Sequence, residues 1–394
     1  MVKKFFCFFA GVQLIAGIAT AQEKRERYEI EFGTPVYYKE ILQTLTFPFS
    51  WQKAGQYMSY DAWNRMATGK MMELMAPMPP DVPLDCKIVD TEQRDGYKAH
   101  KIEFNISGWA RVPAYLLVPD IALRIPQGGE KLPGLVMLHD HGAQFYIGKE
   151  KMVRPFDVEP EVAEKARAWI DRLYSGRYVG DDYARQGYVV LSVDALFWGE
   201  RGRKEGVLYD GQQALESNFM QIGMSWTGMI VHDDMRSVDL LASLPYVDPA
   251  RIGAVGFSMG SYRAWMLTAL KKEVAAGVAI CWMNTTELLM TPNNNQLKGG
   301  SAYSMLVPGM ANWLDYPHVA SLACPRALLL FNGRQDKLFP VEGVESCYAQ
   351  MREVWHSQNA DDKLVTELRD TPHIFNADMQ AEVNVFLAKH LKAK

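Results

Sequence analysis

The chain has little that would bring it to a charged polymer or hold it in a bilayer. Its formal net charge is only −4, and no basic run with interleaved aromatics is present to track a phosphate backbone. Nucleic acid and anionic membrane surfaces are therefore excluded as partners on electrostatic grounds. Beyond the first 21 residues, no apolar stretch approaches the roughly 20 residues that span a membrane. Internal repeats and low-complexity segments are lacking too, which excludes solenoids and propellers. Cysteine is scarce, five residues in 394, and no C-x-x-C spacing occurs. Cys281 falls in an expected buried strand and Cys324 just before another, so both read as small buried thiols. A disulfide stays open but is not derivable from spacing.

What is present is an ordinary globular balance, 48% hydrophobic and 22% charged, with ample material for a core. The first residues stand apart from it. Lys3 and Lys4 form a positive start, Phe5 to Ile18 an apolar run, and Ala19-Thr20-Ala21 a small-residue cleavage site. Residues 1–21 thus read as a signal peptide, giving an exported protein, periplasmic or secreted, that starts near Gln22. No membrane partner is expected after cleavage.

Residues 22–84 read as a helical extension packed on the domain that follows. Apolar positions recur at helical spacing from Trp63 to Met75, and prolines at 77, 79, 80 and 83 then stop the helix. From 85 to 118 the period becomes two, with strands at 86–90, 97–106 and 110–118. Asp95-Gly96 and Ser107-Gly108 supply the hairpin turns. From Leu132 short apolar strands at 134–138, 188–193, 252–255, 276–281 and 326–331 alternate with helices near 160–174, 229–244, 259–270 and 342–357. A last strand at 364–368 precedes a closing helix at 378–391. Alternation of this kind predicts an α/β fold over 85–394, a mostly parallel sheet with antiparallel edge strands and helices on both faces.

One junction in this pattern carries chemistry. Gly256-Phe257-Ser258-Met259-Gly260 lies between the strand at 252–255 and the helix at 259–270, a G-x-S-x-G elbow. A strand turning at once into a helix forces Ser258 into a strained backbone, and glycines on either side avoid Cβ collisions. The serine is thereby held at a helix N-terminus, where the Met259 N–H can stabilise an oxyanion.

A serine hydroxyl needs an adjacent base, itself oriented by a third group. Among the histidines that follow, His356 falls in an amphipathic helix and His390 near the chain end. His373 sits in a loop just after the last strand, where open α/β sheets place their sites. Asp336, in the loop after the preceding strand, is the expected acid, with Glu287 as its rival. The second oxyanion amide should follow the first central strand, in Leu138-His139-Asp140-His141-Gly142. His141 is the choice, with Asp140 and Gly142 open. That loop also permits a metallohydrolase, since His139 and His141 have an H-x-H spacing, but only His232-Asp233-Asp234 is near enough in type to add ligands.

These motifs, with Val193-Asp194-Ala195-Leu196-Phe197-Trp198-Gly199-Glu200-Arg201-Gly202 and Pro372-His373, resemble the dienelactone-hydrolase-like α/β hydrolases. Within them the chain resembles the exported acetyl xylan esterase-like proteins of bacterial glycan degradation. The resemblance spans roughly residues 50–392 and departs from the H-G-G-G oxyanion pattern of many esterases. It implies Ser258, Asp336 and His373 as nucleophile, acid and base, an α/β-hydrolase fold and two-step acyl transfer without metal or organic cofactor. The expected substrate is an O-acetyl or uronic-acid methyl ester borne by a polysaccharide or oligosaccharide. A serine peptidase of the same fold is the alternative. Trp198, Trp226, Trp282 and Trp313 are expected in loops crowning the sheet, where flat rings suit sugar faces. Arg201, Arg203 and Arg263 are expected to grip a uronate carboxylate by paired hydrogen bonds.

Overall fold

The structure is a computed structural model that describes residues 37–75, 78–126, 129–202, 209–291 and 302–392, with the short strand pair 30–31 and 34–35 before them. The expected signal peptide and Arg203 lie outside the described residues.

Helix α1 (Tyr60–Met75) forms from the helical repeat read in the sequence, and one face disappears into the protein. Trp63, Ala67 and Met71 are fully buried at four-residue steps, with Met75 next in line. Each large apolar side chain so enclosed contributes about 1.5–3 kcal/mol. This stripe packs with Trp226, Tyr262 and Trp265 in one core, so the extension is bound to the body of the fold by apolar burial.

The main sheet has nine strands: β1 (Lys87–Arg94), β2 (Tyr97–Asn105), β3 (Arg111–Pro119), β4 (Leu132–Leu138), β5 (Val189–Val193), β6 (Val247–Phe257), β7 (Val274–Ile280), β8 (Ala327–Gly333) and β9 (Leu364–Arg369). Their order across the sheet is β9-β8-β7-β6-β4-β5-β3-β2-β1. Pairing is antiparallel from β1 through β3 to β5 and parallel from β5 to β9. The central strands are apolar on both sides because both faces are covered. One face carries α5 (Trp226–Ser243), α6 (Met259–Leu270) and α7 (Val341–Ser357). The other carries α2 (Pro160–Leu173), α3 (Val179–Arg185) and α8 (Ala377–Leu391). A further helix, α4 (Tyr209–Gln221), precedes α5 and is not signalled by the periodicity read above.

Strand order positions the site. After β4 the chain adds β5 on one side, then crosses to add β6 on the other. The carboxyl ends of β4 and β6 therefore flank the point where the winding reverses, the place where open α/β sheets bind ligands.

Candidate active site

At the end of β6, Ser258 has φ 57° and ψ −121°, a left-handed geometry that favours glycine. The main chain itself holds it there. Ser258 N–H donates to the Ile280 carbonyl at 2.8 Å, and Tyr262 N–H donates to the Ser258 carbonyl at 3.1 Å. The flanking glycines are obligatory. A Cβ on Gly256 would lie 1.9 Å from the Gly260 carbonyl oxygen, and one on Gly260 would lie 1.8 Å from that of Leu138. The start of α6 is thus pressed against the end of β4.

The structure brings His373 and Asp336 together. The His373 Nδ1–H donates to Asp336 Oδ2 at 2.6 Å, with the carboxylate fully enclosed and the imidazole 22% exposed. Asp336 Oδ1 accepts from the Leu338 N–H at 2.9 Å, which fixes the carboxylate plane. The two loops are joined through their backbones, Arg334 N–H to the Arg369 carbonyl at 2.7 Å and Gln335 N–H to that of Thr371 at 3.1 Å. The imidazole lies 4.7 Å from the ring of Phe257, the residue before Ser258, and stacks on Phe339. Asn376 caps α8 immediately behind, accepting from the Met379 N–H. The rival acid Glu287 is exposed at the start of a short helix, and His356 is exposed on α7.

The β4 loop is buried and its two imidazoles are committed. His139 Nε2 accepts from the Ala195 N–H at 2.9 Å, so Nδ1 carries the proton and donates to the Asp140 carbonyl, also at 2.9 Å. His141 Nδ1 accepts from the Ala143 N–H at 3.0 Å, leaving Nε2–H to face Gln212 Oε1 of α4 at 3.4 Å. Burial draws the His139 pKa well below its usual value and that of His141 down to about 4. The H-x-H pair thus serves the loop's own hydrogen bonding, and the metal reading finds no free ligand atoms there. Of its proposed helpers, Asp233 pairs with Arg201 and Asp234 with Arg263, while the two ring nitrogens of His232 have no hydrogen-bond partner among the described residues.

Other site expectations need correction. Arg263 is 1% exposed and spends its guanidinium on Asp234, through Nε to Oδ2 at 2.9 Å and Nη2 to Oδ1 at 2.6 Å. Arg201 donates to the Asp194 carbonyl at 2.9 Å and lies 2.7 Å from Asp233 Oδ2, so it ties its loop to α5. Arg263 is therefore not free to clamp a uronate, whereas both contacts of Arg201 are made through Nη1. Trp198 and Trp226 are fully buried and stack on each other at 5.5 Å, with indole N–H groups donating to the His141 and Leu196 carbonyls. Trp282 is 3% exposed and packed against Tyr262, Tyr316 and Phe339. Trp313 packs on Phe49 with Lys70 over its ring, against the N-terminal extension. Trp198, Trp226 and Trp282 are thus core residues with no open face for a sugar, while Trp313 is half-buried.

Sequence reasoning passed over the charged groups behind the site. Lys149 is fully buried, with Nζ 2.9 Å from Asp194, 2.6 Å from Glu200 and 2.8 Å from Glu150. The carboxylates outweigh desolvation and hold its pKa well above the usual value. Asp194, at the end of β5, also accepts the Lys149 and Glu200 N–H groups, so the Gly-Glu-Arg loop is knotted onto this strand end. The three carboxylates have metal-like spacing, but the ammonium occupies their centre. A cavity of about 470 Å³ beside them is lined by Tyr146, Glu150, Asp157, Val158, Glu159, Val162 and Glu200, and none of Ser258, Asp336 or His373 borders it. A signal existed: Lys149, Glu150 and Lys151 sit between Ile147 and Met152-Val153, charges set in an apolar stretch.

A reversing parallel sheet with a strained strand–serine–helix turn at its switch point defines an α/β hydrolase. The chain belongs to the Abhydrolase family, whose profile matches residues 33–359. It is 26% identical over 323 residues to Putative hydrolase YtaP of Bacillus subtilis (strain 168), covering 82% of this chain and 98% of that one. In fold it is similar to "a putative acetyl xylan esterase" of Bacteroides fragilis NCTC 9343, with TM-score 0.65 and 17% identity over 84% of this chain and 81% of that one. It is also similar to a glucuronoyl esterase from Solibacter usitatus, with TM-score 0.58 and 13% identity over 91% and 95% of the two chains. Among the described residues no helix is long and apolar enough to cross a membrane.

Proposed function

We propose that the protein is a serine carboxylic-ester hydrolase acting on esters borne by polysaccharides or oligosaccharides, through an acyl-enzyme. The observation that carries this reading is the 2.6 Å His373–Asp336 bond, with its imidazole packed beside the strained elbow of Ser258. Asp336 keeps the proton of His373 on Nδ1, which leaves Nε2 to take the Ser258 hydroxyl proton as the oxygen attacks the ester carbonyl. The backbone N–H groups of Met259 and His141 receive the oxyanion, a contribution of about 10²–10³ in kcat for one donor. His373 then passes its proton to the leaving alcohol and activates the water that frees the acid. This chemistry needs no metal or organic cofactor.

Two features support a saccharide ester: the acetyl xylan and glucuronoyl esterase folds to which this one is similar, and a leader that reads as an export signal. Residues 22–84 are read as an extension of a catalytic domain at 85–394. An O-acetyl group and a uronic-acid methyl ester are distinguished by what is released. Incubation with a panel of acetylated and methyl-esterified plant polysaccharides should yield acetate or methanol. Release of neither, together with cleavage of peptide anilides, would replace this reading by a peptidase.

A further inference from the structure

The loop after β4 is held from beneath by a cation. Lys151 is fully buried, and its Nζ donates to the carbonyl of Asp140 at 2.8 Å and to that of His141 at 3.0 Å. Its counter-ion is drawn aside. Asp140 Oδ1 lies 3.5 Å away, while Oδ2 accepts from Trp169 Nε1 at 3.0 Å and the Tyr174 hydroxyl at 2.7 Å. The ammonium protons therefore point at main-chain carbonyls. Burying a lysine costs several kcal/mol unless its surroundings compensate, and here burial does pull its pKa down. A hydrophobic side chain of the same length would fill the space without that cost.

What a cation adds is polarisation. A peptide carbonyl that accepts from an ammonium makes the N–H of the same peptide a stronger donor. The two peptides gripped by Lys151 carry the N–H groups of His141 and Gly142. Among the described residues neither has a protein acceptor. Other donors converge on the same two carbonyls, His139 Nδ1 on that of Asp140 and Trp198 Nε1 on that of His141. The loop also abuts α6, since a Cβ on Gly260 would lie 3.0 Å from the His139 carbonyl oxygen.

We propose that Lys151 is a positioning residue of the oxyanion hole: its ammonium fixes the 140–142 backbone and, through the Asp140 and His141 carbonyls, strengthens the amide that receives the oxyanion. This rests on the serine-esterase reading of Ser258. Its test is Lys151→Met, which keeps an unbranched stem and removes the charge. With an aryl acetate, kcat per active site should fall about tenfold to a hundredfold, less than the loss of a whole oxyanion donor. KM should change by less than roughly threefold, because the interaction strengthens only as charge develops. Phenylboronic acid, which forms a tetrahedral adduct on the serine oxygen, should lose affinity by a similar factor. Active sites are counted with a fluorophosphonate label, which separates slow chemistry from misfolding. Lys151→Gln, which keeps hydrogen-bond donors without the charge, serves if the methionine variant does not fold, and its kcat should fall as well. Values of kcat per labelled site and boronate affinity within about twofold of wild type would overturn the proposal. So would a deficit that lies wholly in the number of labelled sites. Wild-type turnover by Ser258→Ala would instead remove the esterase reading, and this inference with it.

Discussion

Arg263→Leu tests whether the arginine on α6 is a structural strut. Its guanidinium binds Asp234 of α5 through two bonds of 2.9 and 2.6 Å, with the two side chains 1% and 2% exposed. Burial pushes the Asp234 pKa up, and Arg263 is the largest influence opposing it. Taking away one partner of such a pair leaves an uncompensated buried charge and costs about 3–5 kcal/mol. Replacing both, as Arg263→Leu with Asp234→Leu, should recover much of that loss, since an apolar pair of similar volume carries no desolvation penalty. Urea unfolding at neutral pH followed by tryptophan fluorescence measures both. The pH dependence has a definite sign. Without the guanidinium, the folded-state pKa of Asp234 stands further above its unfolded value. The folded chain then binds a proton the unfolded one gives up, and the single variant regains stability as pH falls. A loss under about 1 kcal/mol, or a double variant no more stable than the single, would refute the strut. Unchanged stability with selective loss of action on an acidic glycan would restore the arginine to substrate binding.

Gly256→Ala should abolish turnover and lower stability, because the new methyl would have to displace the Gly260 carbonyl from 1.9 Å. A soluble variant with wild-type kcat would show that the elbow can relax. Acid should destabilise the fold through its buried histidines. His141 and His318 are held neutral by burial, each drawn down from 6.5 to about 4. Their contribution is fully present above pH 6.5 and is lost toward pH 4, as the unfolded chain takes protons that the folded chain refuses. Each histidine should cost about 1.4 kcal/mol per pH unit in that window. Urea midpoints that stay flat from pH 6.5 to 5, or that His318→Gln leaves equally steep, would contradict this.

The parts of the fold legible in the sequence are those written in short-range pattern. Strand β7 shows as an apolar run and α8 as a 3.6-residue repeat. The Ser258 turn shows because its two glycines answer clashes only four residues apart. Asp336 and His373 could be placed because each follows a recognisable strand, and sheet order alone brings those strand ends together. Arg263 and the buried tryptophans are not legible for the opposite reason. Asp234, 29 residues before Arg263 on another helix, decides that the arginine is inside, and no local spacing records it. Trp198 and Trp226 follow or begin elements near the site, but only the packing of α5 on the loop at 195–201 turns them inward. Lys151 is harder still, since its value lies in two carbonyls ten and eleven residues away.

The central claim, that Ser258 is the nucleophile of an ester hydrolase, is tested most directly by fluorophosphonate labelling together with turnover of an aryl acetate. The account predicts one covalent adduct per chain, mapped by mass spectrometry to the peptide bearing Ser258. It further predicts that Ser258→Ala keeps its fold, takes no label and loses at least about a thousandfold in kcat. An adduct on another residue, or a Ser258→Ala variant that turns over at the wild-type rate, would contradict it.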